Sequence, residues 1–216
     1  MNLTVVGDVL WLVAYIFIIR ASFRDRTYGV PMLAICLNFA WEFIFTFVYM
    51  PREGDGSLNV VKFCMFLGWL VLDAVILWQL LKYGRKEQST RQLEDMFIWV
   101  VLLCLGGAFA WHLTFTRAFD DPHGYLSAFI INLLMSILFV RFAFDRPDQR
   151  GLSYGGAWFK LLGTGIISFA NVFMLLPTPG YHGFWFFLFA GIFTFDLLYL
   201  VILHQGRKAR TAAAAT

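Results

Sequence analysis

Long apolar stretches alternate with short polar links along this chain, and the pattern predicts an all-α integral membrane protein. A membrane-spanning helix needs about 20 mostly apolar residues in succession. Seven stretches meet this requirement, at residues 4–20, 29–50, 60–82, 95–117, 124–142, 156–176 and 182–204. We therefore predict a single seven-helix transmembrane domain over residues 1–206. A basic and alanine-rich tail follows at residues 207–216, and we expect it to be disordered.

The composition is that of a chain that faces lipid rather than water. Hydrophobic residues make up 60% of the 216 residues and charged residues 14%, whereas a soluble chain carries about 25% charged residues. So few charges cannot cover a water-facing surface. Positive charge follows the first apolar stretch instead of preceding it, so we expect a retained helix and not a cleavable signal peptide.

Lys and Arg residues are distributed very unequally between the two ends of the predicted bundle. Fourteen of the 17 lie near one end, and only Arg52, Lys62 and Arg117 lie near the other. Because basic residues are enriched on the cytoplasmic side, we predict an outside or lumenal N-terminus and a cytoplasmic C-terminus. The membrane would be the endoplasmic reticulum in a fungus and the cytoplasmic membrane in a bacterium.

Four acidic residues interrupt the apolar stretches: Asp8, Glu42, Asp73 and Asp196. Ionisable groups at bilayer depth are costly unless they are paired or face a cavity, so each acid is a functional candidate. Asp8 is near a helix end, and a solvated terminal turn is as good an interpretation as a functional role. For Asp73 a purely structural pairing stays open, and for Glu42 the alternative is a hydrogen-bonding anchor between helices.

The neighbours of the acids in the second and third predicted helices add polar and aromatic groups. Asn38 lies four residues before Glu42 and therefore shares its helix face. An amide at that position could hold or polarise the carboxyl group. Trp69 precedes Asp73 by one turn.

Aromatic residues also accompany the acid in the seventh predicted helix. Helical spacing places Phe193 and Tyr199 on the face of Asp196. Asn132 in the fifth predicted helix is a further polar group at mid-membrane depth, and alone such a group is more often a packing contact between helices.

No basic residue is predicted at the depth of the acids. Lys62, Lys82, Arg117, Arg141 and Lys160 are placed near helix ends, where long side chains can reach the interface. Without a cationic partner, burial favours the neutral carboxyl group, which can donate a proton. Aromatic residues, at 19% of the chain, stabilise cations. The pattern permits proton-initiated cyclisation of a lipophilic polyene but does not require it.

Four motifs occur in order over nearly the whole chain: Trp41-Glu42, Asp73, the stretch GLSYGGAWFKLLGTG at residues 151–165, and Asp196. Together they resemble the small transmembrane terpene cyclases of fungal meroterpenoid and indole-diterpene pathways, whose bacterial relatives act on prenylated indoles. The resemblance implies that Glu42 and Asp196 are the essential acids. Supporting or substrate-binding roles are predicted for the surrounding polar and aromatic residues, which are Asn38, Trp41, Trp69, Asp73, Asn132 and Tyr199.

The predicted function is that of an enzyme: a metal-independent, class II-like terpene cyclase without a cofactor. Its substrate would be a prenylated or epoxy-prenylated lipophilic molecule in meroterpenoid or indole-terpenoid biosynthesis. Asp120-Asp121 lacks the third acid of a DDxxD motif, which disfavours a Mg²⁺-diphosphate site. The expected partners are this substrate and the lipid bilayer, and not nucleic acid. The alternative function is a proton-coupled transporter of a small solute, although neither a polar path nor an internal repeat is evident.

Overall fold

The structure, a computed structural model, describes residues 3–175 and 182–214. Among these residues there are seven α-helices, one short 3₁₀ helix at Gly84–Glu87, and no β-strand. The α-helices are α1 (Leu3–Asp25), α2 (Met32–Phe47), α3 (Val60–Tyr83), α4 (Arg91–Ala118), α5 (Tyr125–Phe144), α6 (Tyr154–Leu175) and α7 (His182–Ala214).

All seven predicted helices are present, with differences at their ends. The second is shorter than predicted at both ends: it begins directly after Pro31, whose carbonyl accepts the hydrogen bond of the Ile35 N–H, and it ends at Phe47. The predicted end of the sixth helix, residue 176, lies outside the described residues. Helix α7 continues to Ala214, through most of the segment for which the sequence predicts disorder, and the disorder of that tail stays a prediction.

Within the described ranges, five helices are long and apolar enough to cross a membrane: α1, α3, α4, α5 and α7. Helix α2 is apolar but has only 16 residues. Helix α6 is not among the five, and its first twelve residues include Gly155, Gly156, Gly163 and Gly165. The helical fold is therefore confirmed for the described residues, whereas the number of spans and their orientation stay predictions.

The chain forms two compact units. Unit 1 contains residues 1–25 and 132–216, in which α1 packs against α6 and α6 packs against α7. Helices α1 and α6 approach closely at two glycines: a Cβ atom at Gly163 would lie 3.0 Å from the carbonyl oxygen of Gly7. Larger side chains at these positions would separate the two helices. The division into two compact units does not test the prediction of a single domain.

Unit 2 contains residues 26–131, and α2 packs against both α3 and α4 there. Two of its helices, α3 and α4, begin at side-chain caps: the side-chain carbonyl oxygen of Asn59 accepts the Lys62 N–H, and the Thr90 hydroxyl accepts the Leu93 N–H. Such caps satisfy backbone donors that have no partner inside the helix. Helix α2 is the central element of this unit, and most of its residues are buried.

Candidate active site

Helices α2 and α3 bring two carboxyl groups to one amide within unit 2. The Asn38 side-chain NH₂ donates to Glu42 Oε1 at 3.1 Å and to Asp73 Oδ2 at 2.8 Å. Glu42 is 2% exposed and Asp73 is 1% exposed. The sequence predicted that Asn38 contacts Glu42, which is confirmed, but it did not predict that the same amide also binds Asp73. We call Glu42 and Asp73, which Asn38 joins, the carboxyl pair.

Trp41, next to Glu42 in sequence, is directed to a different part of unit 2. Its indole N–H donates to the carbonyl oxygen of Gly124 at 3.1 Å and to the Ser127 hydroxyl at 3.2 Å. Its hydrogen bonds therefore hold α2 to the turn that begins α5. The face of its ring contributes to an aromatic group, since it lies 5.3 Å from the ring centroid of Phe66.

Trp69 belongs to the same aromatic group. It stacks on Phe66 with ring centroids 5.7 Å apart, one turn before Asp73 on α3. Its buried indole N–H has no hydrogen-bond acceptor among the residues that the structure describes. Aromatic rings thus lie on the two helices that carry the carboxyl pair.

His112 is a buried polar residue of unit 2 that the sequence did not identify as a site residue. It is fully buried in α4, and its Nε2 lies 3.0 Å from the carbonyl oxygen of Leu37. Because a carbonyl only accepts, Nε2 carries the hydrogen and donates. Leu37 directly precedes Asn38, so this contact fixes α4 against the segment of α2 that holds the carboxyl pair.

Asp196 in unit 1 has a cationic partner, and the prediction that the buried acids lack one was wrong for this residue. Lys160 Nζ donates to both carboxylate oxygens of Asp196, at 2.6 Å and 2.7 Å, and to the Ser136 hydroxyl at 2.7 Å. Lys160 and Asp196 are each 2% exposed. The ammonium also lies 5.4 Å from the ring centroid of Trp11.

The error concerned the position of Lys160 and not its charge. The predicted sixth helix begins at residue 156, which puts Lys160 one turn from its end. The observed α6 begins at Tyr154 and turns Lys160 inward. All three donors of an ammonium group are used here, so the group is satisfied inside the protein instead of reaching the interface. The signal in the sequence that could have identified Lys160 as a site residue was its position within the motif at residues 151–165.

The other sequence-predicted residues of unit 1 divide between buried and exposed positions. Tyr199 is buried beside Asp196 on α7, and its ring packs on Phe139 at 5.2 Å. Phe193 is 54% exposed and so does not share the buried face of Asp196, contrary to prediction. Asn132 donates to the Thr164 hydroxyl at 3.1 Å, which agrees with a packing contact between helices.

Two further acids, Asp121 and Asp8, lie outside the carboxyl pair and the Lys160–Asp196 ion pair. Asp121 accepts the backbone N–H groups of Leu126 and Ser127 at 3.2 Å and 2.8 Å, where α5 begins. Asp8 is partly buried within the first third of α1. Among the described residues no group of three His, Cys, Asp or Glu side chains is arranged to hold a metal ion.

Comparison with known proteins bears on what these sites are for. The chain is 28% identical to terpene cyclase macJ of Penicillium terrestre over 166 residues, which are 74% of this chain and 62% of that protein. It is 29% identical to the Pyr4-family terpene cyclase mfmH of Annulohypoxylon moriforme over 161 residues, or 73% of this chain and 63% of that protein. With terpene cyclase andB of Emericella variicolor it shares 32% identity over 150 residues, covering 67% and 59% of the two chains.

The chain spans about three fifths of the length of these curated relatives. The sequence profile of one family covers far more of the chain, since it matches residues 1–209, which include the carboxyl pair and the Lys160–Asp196 ion pair. The resemblance inferred from the motifs is thereby confirmed, and the chain belongs to the Pyr4-like transmembrane terpene cyclases.

Proposed function

We propose that the chain is a membrane-bound terpene cyclase that protonates a prenylated or epoxy-prenylated lipophilic substrate and needs no metal ion. The observation that carries this proposal is the carboxyl pair, in which Asn38 holds the buried side chains of Glu42 and Asp73. Membership of the family supports the reaction class. The carboxyl pair supplies a source for the proton.

The carboxyl pair is suited to retaining a proton. Two carboxylate charges close together in a buried environment repel each other, so one of the two groups is kept neutral. Aspartic proteases use the same principle in a pair of carboxyl groups that shares one proton. Glu42 would be the donor, as the family resemblance implies, while Asp73 and Asn38 would orient it.

The proposed reaction is an isomerisation in which protons balance. Glu42 transfers its proton to an epoxide oxygen, the C–O bond breaks, and the electron pair of the next alkene forms a C–C bond. When no epoxide is present, the proton is added to an alkene carbon instead. Further alkenes attack in turn, and loss of a proton beside the last cation gives the final double bond. This proton would return to the Glu42 carboxylate, which regenerates the donor. The aromatic rings of Trp41, Phe66 and Trp69 would stabilise cations, and exclusion of water would prevent their premature capture.

Asp196 would act differently from Glu42. An aspartate that accepts two short hydrogen bonds from an ammonium is stabilised as an anion, and an anion cannot be the initial proton donor. We assign it a positioning role: with Lys160 and Ser136 it holds α5, α6 and α7 together in unit 1. The importance that the family resemblance gives to this residue would then reflect the shape of the substrate site.

The membrane arrangement is part of the proposal. Seven helices would span the bilayer with the N-terminus outside or lumenal and the C-terminus cytoplasmic, as the segregation of Lys and Arg indicates. The substrate, a prenylated phenol or indole, would enter sideways from the lipid. The resident membrane follows the source: endoplasmic reticulum in a fungus, cytoplasmic membrane in a bacterium.

The test is cyclisation by membranes that contain the full chain. Farnesylated phenols and indoles, with and without a terminal epoxide, are supplied in H₂O and in D₂O, and products of unchanged formula are sought by chromatography and mass spectrometry. Initiation at an alkene leaves one carbon-bound deuterium in the product, whereas initiation at an epoxide leaves none after exchange back into H₂O. Activity that is lost with EDTA and restored by Mg²⁺ would contradict the metal-independent mechanism.

A matched control separates the role of Glu42 from general loss of an acid. Glu42→Gln removes the proton donor with little change in shape, and Glu53→Gln makes the same change at an exposed loop residue. We expect cyclic product from Glu53→Gln membranes and none from Glu42→Gln membranes at equal protein level. Equal product from both variants would contradict the assignment.

A further inference from the structure

Unit 1 contains a cleft of about 850 Å³ that the proposed reaction does not use. It lies at the C-terminal end of α1 and the N-terminal end of α6. Four arginines line it: Arg20 and Arg24 from α1, Arg150 from the link between α5 and α6, and Arg207 from α7. We call this space the arginine cleft.

The two acids of the arginine cleft do not neutralise it. Asp25 accepts two hydrogen bonds from Arg24, at 2.7 Å and 2.8 Å, and a third from the backbone N–H of Gly151 at 2.9 Å. Asp148 accepts the backbone N–H of Arg150 at 3.2 Å. Four guanidinium groups against two carboxylates leave an excess of positive charge.

Arg20 is the guanidinium that is most available to a ligand. It is exposed, and within the described part of the chain no salt bridge or hydrogen bond is seen for it. Arg150 differs, because its guanidinium donates to the backbone carbonyl of Asp25 at 3.1 Å and so has a structural role. Arg207 lies across the cleft, 4.8 Å from the ring centroid of Tyr154.

The arginine cleft also has an apolar wall. Phe17, Leu152 and Leu203 line it, and the ring of Phe17 is stacked on Phe159 at 5.4 Å. A site for a small inorganic anion would need neither this wall nor a volume of about 850 Å³. The combination of guanidinium groups with apolar side chains matches a ligand that has an anionic head and a hydrocarbon part.

We propose that the arginine cleft binds the phosphate headgroup of an anionic phospholipid. Guanidinium groups bind phosphate oxygens through two parallel hydrogen bonds, and basic pockets between transmembrane helices are typical sites for such headgroups. Arg20 and Arg207 would bind the phosphate while Phe17, Leu152 and Leu203 contact the first carbons of the acyl chains. This site is separate from the proposed reaction, because none of its residues belongs to the carboxyl pair or the Lys160–Asp196 ion pair.

The test measures lipid binding by the purified, delipidated full chain in detergent, with thermal unfolding and native mass spectrometry as readouts. The probes are phosphatidylglycerol, phosphatidylcholine with the same acyl chains, and sodium phosphate. We expect phosphatidylglycerol to bind and to raise the unfolding temperature, with no comparable shift from the other two. An equal shift from phosphatidylcholine would overturn the proposal, and so would an equal shift from sodium phosphate, which would identify a site for free phosphate instead.

Paired variants locate the binding. Because each basic residue near a lipid headgroup contributes about a five-fold change in affinity, Arg20→Gln with Arg207→Gln should weaken phosphatidylglycerol binding about 25-fold. Lys86→Gln with Arg91→Gln removes two exposed charges from unit 2 and should leave affinity within about two-fold. Equal weakening by the two pairs would overturn the proposal. Both pairs change exposed side chains, and unfolding temperatures without lipid check that each variant is folded.

Discussion

The two units bury carboxyl groups to nearly the same extent but satisfy them in opposite ways. In unit 2, Glu42 and Asp73 are hydrogen-bonded to the neutral amide of Asn38. In unit 1, Asp196 is hydrogen-bonded to the ammonium group of Lys160. Two carboxyl groups at one amide repel each other when both are ionised, which favours a retained proton in the first arrangement, whereas the adjacent ammonium favours an anion in the second.

This difference teaches that burial alone does not make an acid reactive. A carboxyl group that keeps its proton can donate it, and its removal should affect catalysis more than stability. A carboxylate in a buried ion pair cannot donate, and breaking the pair leaves an uncompensated charge that destabilises the fold. The two sites can therefore be distinguished by which property each substitution changes.

The largest expected effect is on catalysis at Glu42. Glu42→Gln keeps the hydrogen-bonding shape but has no proton to donate. Since general acid catalysis contributes about 10² to 10⁴ in rate, we expect cyclisation to fall by about 10³-fold. Product formation per amount of folded protein measures this. The unfolding temperature should change little, and a collapse of stability with normal specific activity would show that Glu42 is a structural anchor.

The next largest effect is on stability at Lys160. Lys160→Met leaves Asp196 buried without its ammonium partner and should cost about 3 to 5 kcal/mol. Thermal unfolding in detergent measures the loss. The control is the double variant Lys160→Met with Asp196→Leu, which replaces both charges by apolar groups and should recover most of the stability.

The double variant also tests the role of Asp196 in the reaction. If Asp196 positions helices and does not donate the proton, the double variant should regain part of the cyclase activity that Lys160→Met loses. Recovery of stability without any recovery of activity would instead favour direct participation of Asp196.

A smaller effect is expected at Asp73. Asp73→Asn preserves the shape of the side chain but removes one of the two carboxyl groups whose mutual repulsion favours a retained proton. We expect about a 10-fold decrease in cyclisation, equivalent to about 1.4 kcal/mol. Product formation per amount of folded protein measures the decrease. A rate equal to that of the unsubstituted chain would contradict the coupling.

The smallest effect concerns the polar contacts near the ion pair. The Thr164 hydroxyl accepts hydrogen bonds from the Trp11 indole at 3.2 Å and from the Asn132 amide at 3.1 Å. Thr164→Val leaves both donors without this acceptor and should cost about 1 kcal/mol. Thermal unfolding measures this, and the decrease should be clearly smaller than that of Lys160→Met. A loss as large as that of Lys160→Met would mean that the hydroxyl, and not the ion pair, carries the stability of this region.

Much of the fold could be predicted because a helix that crosses a bilayer needs about 20 mostly apolar residues in succession, and such stretches can be recognised in the sequence. The third helix was predicted at residues 60–82 and is observed at Val60–Tyr83. The prediction was less accurate for α2, because this helix begins only after Pro31. Asn38 and Glu42 lie on one helix at a spacing of four, so their contact followed from helical periodicity alone.

The amino-acid sequence by itself determined the class of the protein: helices of membrane-spanning length, a few interior acids, and motifs that identify the family. Only the tertiary structure decided which charges meet. Asp73 contacts Asn38 and Lys160 contacts Asp196 from different helices, at separations of 35 and 36 residues in the chain. Helical spacing relates neighbours on one helix, whereas partners on different helices depend on packing and rotation. Whether each buried acid is neutral or ionised depends on those partners.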